Sequence, residues 1–174
     1  GSNSIGSAGV PDRPLRVMVD TNVLISGVIF PRAAYEFLQH ALRGDFTLVL
    51  SEHILAEVRY WMETKATPLQ RAAMTVFLEE VICEVAPDPT RAEVEQHIQL
   101  VRDPKDVPIA LAAIQAGVDY LVSNDQDLIA QDETTSMLRQ WLSPIPVVAF
   151  LRDVMGWSPE ELEAIRHRTW EEID

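Results

Sequence analysis

The chain has 174 residues, 47% of them hydrophobic and 24% charged. That is enough apolar material for one compact domain and excludes a disordered or fibrous chain. Its apolar runs are far shorter than a membrane span needs, and a single cysteine, Cys83, excludes an internal disulfide framework and fits a reducing compartment. The net charge of −13 runs against the basic footprint of nucleic-acid binders; it admits solubility alone, a crowded carboxylate site that needs cations, or a surface for a basic partner.

Residues 1–10 are small and polar and lack the charged and apolar regions of a secretion signal, and the leader is taken to run to residue 14. They are set aside as a flexible leader, an expression remnant, and the expected location is the cytoplasm. Leu15–Val19 is a short apolar run stopped by Asp20, the pattern of a buried strand. Ala34, Phe37, Leu38, Ala41 and Leu42 fall at helical spacing, with Gly44 as the stop. A second strand follows over Phe46–Leu50. Ser51 caps a helix whose apolar face is Ile54, Leu55, Val58, Trp61 and Met62. Thr67-Pro68-Leu69-Gln70 starts another helix, with a cap, an early proline and a capping-box glutamine.

Val81–Val85 reads as the third strand, ended by Pro87 and Pro89, and Cys83 within it as inertly buried. A short helix is expected around Glu93–Val101, with His97 on its apolar face. Pro108–Ala116 is an apolar helix closed by Gly117, Tyr120–Ser123 the fourth strand and Pro146–Ala149 the fifth. Ser158-Pro159-Glu160-Glu161 opens a terminal helix with Leu162, Ile165, Thr169 and Ile173 on one side. With Trp157 and Trp170 nearby, that helix is expected to pack on the domain or on a second subunit. Short apolar strands alternating with helices predict a three-layer α/β/α sandwich around a mainly parallel sheet of about five strands. The domain spans residues 15–150, with a helical extension over 151–174.

In open parallel sheets ligands bind beyond the carboxyl ends of the strands. Asp20 closes the first strand, Asp125 follows the fourth, and Asp106 stands where the Pro108 helix begins. Of Glu52, Glu57 and Glu63, only Glu57 borders the stripe of Ile54, Val58 and Trp61, with no basic residue one turn away on that side. Each acid alone reads as a cap or a turn residue; together, at one end of one sheet, they read as a site. Carboxylate oxygens suit Mg²⁺ or Mn²⁺ rather than Zn²⁺, and His40, His53, His97 and His167 share no metal-ligand spacing. Arg102 and Lys105, beside Asp106, are candidate phosphate contacts.

Four segments then resemble the PIN-domain family in order. Val17-Met18-Val19-Asp20-Thr21-Asn22-Val23-Leu24-Ile25-Ser26 resembles its opening strand and loop, and Glu57 in Ser51-Glu52-His53-Ile54-Leu55-Ala56-Glu57-Val58 its helix glutamate. Arg102-Asp103-Pro104-Lys105-Asp106 followed by Ile109-Ala110-Leu111-Ala112-Ala113 is similar to its central acidic motif. Asp119-Tyr120-Leu121-Val122-Ser123-Asn124-Asp125-Gln126-Asp127-Leu128 is similar to its last. The chain departs from the family at Val107, where relatives often carry a polar or acidic residue, and at Asn124, where they often carry glycine. The nearest subgroup is the prokaryotic toxins of toxin–antitoxin pairs.

The resemblance implies Mg²⁺- or Mn²⁺-dependent RNA cleavage that leaves the phosphate on the 5′ end, with Asp20, Glu57, Asp106 and Asp125 as metal-binding, catalytic acids. Asn22, Ser123 and Asp127 become supporting residues, and the implied partners are RNA, an antitoxin with a basic tail and a second copy of the chain. One rival is a degenerate domain that binds RNA or protein without cutting, against which the presence of all four acids speaks. The other is a phosphohydrolase with an Asp nucleophile after the first strand. That chemistry wants a second Asp two residues on, where this chain has Asn22.

Overall fold

The computed structural model describes residues 13–173, so the expected leader falls almost wholly outside the described residues. The strands are β1 (Arg16–Val19), β2 (Thr47–Ser51), β3 (Cys83–Ala86), β4 (Tyr120–Val122) and β5 (Ser143–Ile145). The helices are α1 (Thr21–Ile29), α2 (Ala33–Leu42), α3 (Glu52–Thr64), α4 (Pro68–Glu80) and α5 (Arg91–Gln96), followed by α6 (Val107–Ala116), α7 (Gln126–Ile129), α8 (Ser136–Arg139), α9 (Val147–Asp153) and α10 (Pro159–Ile165).

The five strands form one all-parallel sheet in the order β3-β2-β1-β4-β5. Right-handed crossovers then send α1–α4 to one face and α5–α8 to the other. The packing agrees: α1 lies against α2, α3 and α4, α9 joins α2, and α5 rests on α6. The result is a three-layer α/β/α sandwich. The central strand is covered on both sides, so Val17, Met18 and Val19 are all fully buried and read as a continuous apolar run. Caps stand where the sequence places them: Ser51 accepts from the Ile54 amide, and Thr67 and Gln70 form a reciprocal capping box. Gly117 closes α6 at φ +69°, a left-handed conformation that favours glycine.

Several elements differ from expectation. Thr21–Ile29 is helical, although its run of Thr, Val, Leu and Ile shows no polar face; α1 is enclosed by α2, α3 and α4, which removes the amphipathic signal. α1 and α2 approach so closely at Gly27 that an added Cβ would stand 2.6 Å from Leu38 Cδ1 and 2.9 Å from the Ala34 carbonyl oxygen. The fifth strand comes before Pro146, and Val147–Asp153 is helix α9, whose Phe150 and Leu151 are fully buried. Periodicity alone does not separate a short buried strand from a buried helix.

The terminal helix stops at Ile165. Arg168 then turns back onto the domain, its guanidinium donating to the Pro31 carbonyl at 2.7 Å and pairing with Glu36 at 2.7 Å. The Trp170 indole N–H donates to the Ile29 carbonyl at 2.9 Å, and its ring meets Tyr35 edge-on. The segment thus packs on its own domain. His97 is exposed, because α5 ends at Gln96 and leaves it in the following turn. The buried histidine is His40, which contacts Asp45 at 2.7 Å and accepts from the Trp157 indole N–H at 2.9 Å. Cys83 is half-buried, and burial pushes its thiol up, away from the reactive thiolate. Among the described residues no helix is long and apolar enough to cross a membrane.

Candidate active site

Strand order reverses direction between β1 and β4, and at such a switch point the loops beyond the carboxyl ends part to leave a crevice. Asp20 follows β1, its amide donating to the Val122 carbonyl at 2.9 Å and so fixing it beside β4. Fully buried Ser123 follows β4; its hydroxyl donates to Asp20 Oδ2 at 2.9 Å and accepts from the Asp125 amide at 3.0 Å. One side chain thus orients two acids. Asp125 Oδ1 in turn accepts from the Asp127 amide at 2.9 Å, capping α7. Glu57 reaches in from α3 and is held by the Thr21 hydroxyl, which donates to Oε1 at 2.7 Å. Asp106 ends the 3₁₀ turn Pro104–Asp106 and sits at the amino end of α6, where the helix dipole favours a negative charge.

These four acids share a cavity of about 320 Å³ whose walls include Thr21, Asn22, His53 and Lys105. Of the larger cavities, the two that lie against α9, about 420 and about 540 Å³, each have a single acid in the wall. Burial raises the Asp20 carboxyl above its usual range; the Ser123 hydrogen bond opposes this, and the charges of Asp125 and Glu57 add to it. Asp106 is pushed up to about 7, first by burial, then by sharing a hydrogen bond with Asp125 and by the charges of Asp125, Asp103 and Asp20. Its Oδ2 is buried with no hydrogen-bond partner. Among the described residues no Lys or Arg is ion-paired with any of the four.

An orphaned carboxylate oxygen beside three further carboxylates, with no thiolate, fits a hard divalent cation such as Mg²⁺ or Mn²⁺. A second cluster overlaps this one. Among the described residues Asp103, Asp106 and Asp127 alone bring carboxylate oxygens all within 4.8 Å of one another; Asp20, Glu57, Asp106 and Asp125 line one cavity without any three of them coming that close. Two of those acids have partners already: Asp103 Oδ1 accepts from the Lys105 amide at 3.0 Å, and Asp127 is paired with Arg102. Asp106, common to both clusters, is the one left open.

Of the candidate phosphate contacts, Lys105 lines the cavity, whereas Arg102 donates to Asp127 Oδ1 at 2.7 Å beside it. Asn22 is exposed at the wall. Asn124 accepts from the Val147 amide at 3.2 Å and ties the loop after β4 to α9, and Val107, the first residue of α6, is fully buried. Asp103 escaped notice as a separate acid because only the tight turn after it brings it near Asp106. His53 corrects the reading that Glu57 has no basic neighbour: its Nε2 lies 3.5 Å from Glu57 Oε2, a contact that becomes an ion pair when the imidazole is protonated. The signal was its position four residues before Glu57 on the same helix.

A family model described as PIN domain matches residues 16–127. No curated protein matches the chain. Among solved structures, VapBC2 from Rickettsia felis, determined bound to a DNA fragment from their promoter, is similar at 18% identity and a TM-score of 0.53, over 76% of this chain and 98% of that one. PAE2754 from Pyrobaculum aerophilum is similar at 17% identity and a TM-score of 0.54, over 82% and 91% of the two chains. FitAcB from Neisseria gonorrhoeae is similar at 17% identity and a TM-score of 0.51, over 76% and 98%. Identities this low carry the likeness of fold alone.

Proposed function

The chain belongs to the PIN domain family, and from that premise we propose that it is a metal-dependent endoribonuclease, the toxin of a toxin–antitoxin pair. The observation that carries the reading is the cavity at the switch point, where Asp20, Glu57, Asp106 and Asp125 meet without a Lys or Arg partner and Asp106 Oδ2 is buried without any. Such a cluster is electrostatically unfavourable without a cation, and Mg²⁺ or Mn²⁺ satisfies it. Asp20, Glu57, Asp106 and Asp125 would hold the ion. When bound, it supplies Lewis-acid polarisation of a phosphodiester oxygen and acidifies a coordinated water.

The protein's own groups do the rest. Ser123 holds Asp20 and Asp125 in fixed relation, and Thr21 holds Glu57, so the acids need little rearrangement on binding. Asp106 or Asp125 orients the attacking water. Lys105 at the wall meets the phosphate charge, with Asn22 and Asp127 supporting; Arg102, held by Asp127 outside that wall, would have to leave this ion pair to reach a phosphate. Hydrolysis then breaks the bond to the 3′ oxygen and leaves the phosphate on the 5′ end.

The net charge of −13 suits a basic antitoxin segment, and the likeness of fold to VapBC2 and FitAcB supports that partnership. A cytoplasmic location and assembly with a second copy go with the reading. The nuclease is assigned to residues 15–150 and the extension to residues 151–174, fastened to the domain through Arg168 and Trp170.

The test is incubation of single-stranded and structured RNA with Mn²⁺ or Mg²⁺, with and without EDTA, for the wild type and Asp20→Asn, with sequencing of product 5′ ends. Cleavage is expected only with metal and Asp20, giving 5′-phosphate products. Cutting that survives both EDTA and the substitution overturns the proposal.

A further inference from the structure

Beside the carboxylates lies a second cleft, of about 340 Å³, walled by Thr21, Ile25, Ala56, Glu57, Tyr60, Trp61 and Lys65. It shares Thr21 and Glu57 with the carboxylate cavity. The two depressions adjoin along a valley between α1 and α3, and the hydrogen-bonded pair Thr21 and Glu57 forms the ridge they share. Along α3 the valley is lined at Glu57, Tyr60, Trp61 and Lys65, positions spaced so that they share one helix face. Along α1 it is lined at Thr21 and Ile25, one turn apart.

The lining chemistry changes along this valley. At the carboxylate end it is acidic, and beyond the ridge it is aromatic and apolar. Tyr60 is 63% exposed, although it is a large ring in a helix that buries Ile54, Val58 and Trp61. Among the described residues it stacks on no other ring. Lys65 caps the carboxyl end of α3 and is exposed, with no ion pair among the described residues. An uncovered aromatic ring next to an unpaired cation, at the edge of an acidic cavity, is an arrangement suited to a nucleotide. The ring meets a base face, the ammonium meets a phosphate, and the volume lies in the range of small-ligand pockets.

We propose that this cleft is a nucleobase subsite, in which one unpaired base of a single-stranded RNA stacks on Tyr60 against the Ile25 and Trp61 walls while Lys65 neutralises an adjoining phosphate. The proposal rests on the nuclease reading and deepens it. The base is unpaired because a base within a duplex has no free face to offer a ring. Continuity with the carboxylate cavity decides the occupant: a strand whose phosphate reaches Asp20 and Glu57 passes over the ridge and sets a neighbouring nucleotide in the cleft. Since stacking is sequence-tolerant, Tyr60 fixes the register of the strand rather than the identity of the base.

The experiment uses the full chain carrying Asp20→Asn, in Mg²⁺, and a fluorescein-labelled single-stranded RNA of about eight nucleotides. A series of the same RNA, each lacking the base at one position, is titrated by anisotropy. Removing the base at one position is expected to weaken binding about ten-fold, within the range reported by stacking losses. Adding Tyr60→Ala should abolish that positional penalty, and Tyr60→Phe should restore it. Lys65→Gln should weaken all members of the series alike and flatten the salt dependence. Thermal melts check that the exposed substitutions leave the fold intact.

A penalty that persists in Tyr60→Ala overturns the proposal. So does a wild-type cleft that binds every member equally, or a Tyr60→Ala variant that loses a protein partner but keeps its RNA affinity. Failure of the nuclease reading is distinguishable, because it appears as absent metal-dependent cleavage by the wild type while base-dependent binding at Tyr60 is read separately.

Discussion

Replacing Asp106 by asparagine keeps the side chain's size, removes its charge and gives it a permanent N–H donor for Asp125. In the folded protein the Asp106 carboxyl is raised from 3.8 to about 7, so ionising it at neutral pH works against the fold. At about 1.4 kcal/mol per pH unit the full rise would correspond to roughly 4 kcal/mol. The group is only partly buried, and solvent screening reduces this to about 1–2 kcal/mol. For a chain of this size Asp106→Asn should therefore melt roughly 2–8 °C above the wild type at pH 8 without metal. The sign with pH follows from the folded value lying above the unfolded one. Wild-type stability from this group is fully present below about pH 4 and is lost as pH rises through about 7. The advantage of the variant should thus be absent near pH 4, grow across that window and level off above it. In Mn²⁺ at about a hundred times its Kd the order narrows or reverses, because the wild type gains roughly 2.7 kcal/mol that the variant forgoes. Scanning calorimetry from pH 4 to 8, with and without Mn²⁺, makes the measurement. A variant less stable than wild type at pH 8, or a gain that does not change with pH, refutes the picture of repelling carboxylates.

Ser123→Ala should lower Mn²⁺ affinity about 10- to 100-fold, since it frees both Asp20 and Asp125; isothermal titration reads it. Gly27→Ala should destabilise by about 2–3 kcal/mol, on the order of 4–12 °C in Tm, because its Cβ meets Leu38 and the Ala34 carbonyl; an unchanged melt would show that α1 and α2 can part. Arg168→Ala should cost about 1–3 kcal/mol by leaving Glu36 and the Pro31 carbonyl unpaired, and hydrogen exchange should show the segment from Ile165 onward opening first.

What the sequence made legible were features whose signal is local. The Thr67–Gln70 capping box, the Ser51 cap and the Gly117 stop depend on neighbours a few residues away. The buried run of β1 is legible too, because a strand covered on both faces is apolar at every position. The same completeness of burial hid α1: enclosed by other helices, it has no polar face to reveal its period. It also disguised α9 as a strand. Within the site, the four acids announce themselves by their order along the chain, yet the partners that aim them do not. That Ser123 orients Asp20, that Thr21 holds Glu57, and that Arg102 is drawn to Asp127 depend on distances set only by the folded sheet. His40 and His97 show the limit well, since helical spacing named the exposed one and passed over the buried one.

The strand order has a consequence for synthesis. β1 emerges before the other four strands but lies at the centre of the sheet, between β2, which follows it closely, and β4, which comes only after β3. The Ser123 hydroxyl that positions Asp20 is 103 residues downstream of it. A nascent chain halted before Tyr120 carries Asp20, Glu57 and Asp106, but neither the strand that closes the crevice nor Asp125 and the serine that aligns the acids. Long-range parallel pairing is slow to form for the same reason that it comes late. A carboxylate cavity that closes only with β4 therefore stays incomplete until synthesis has passed Ser123 and Asp125.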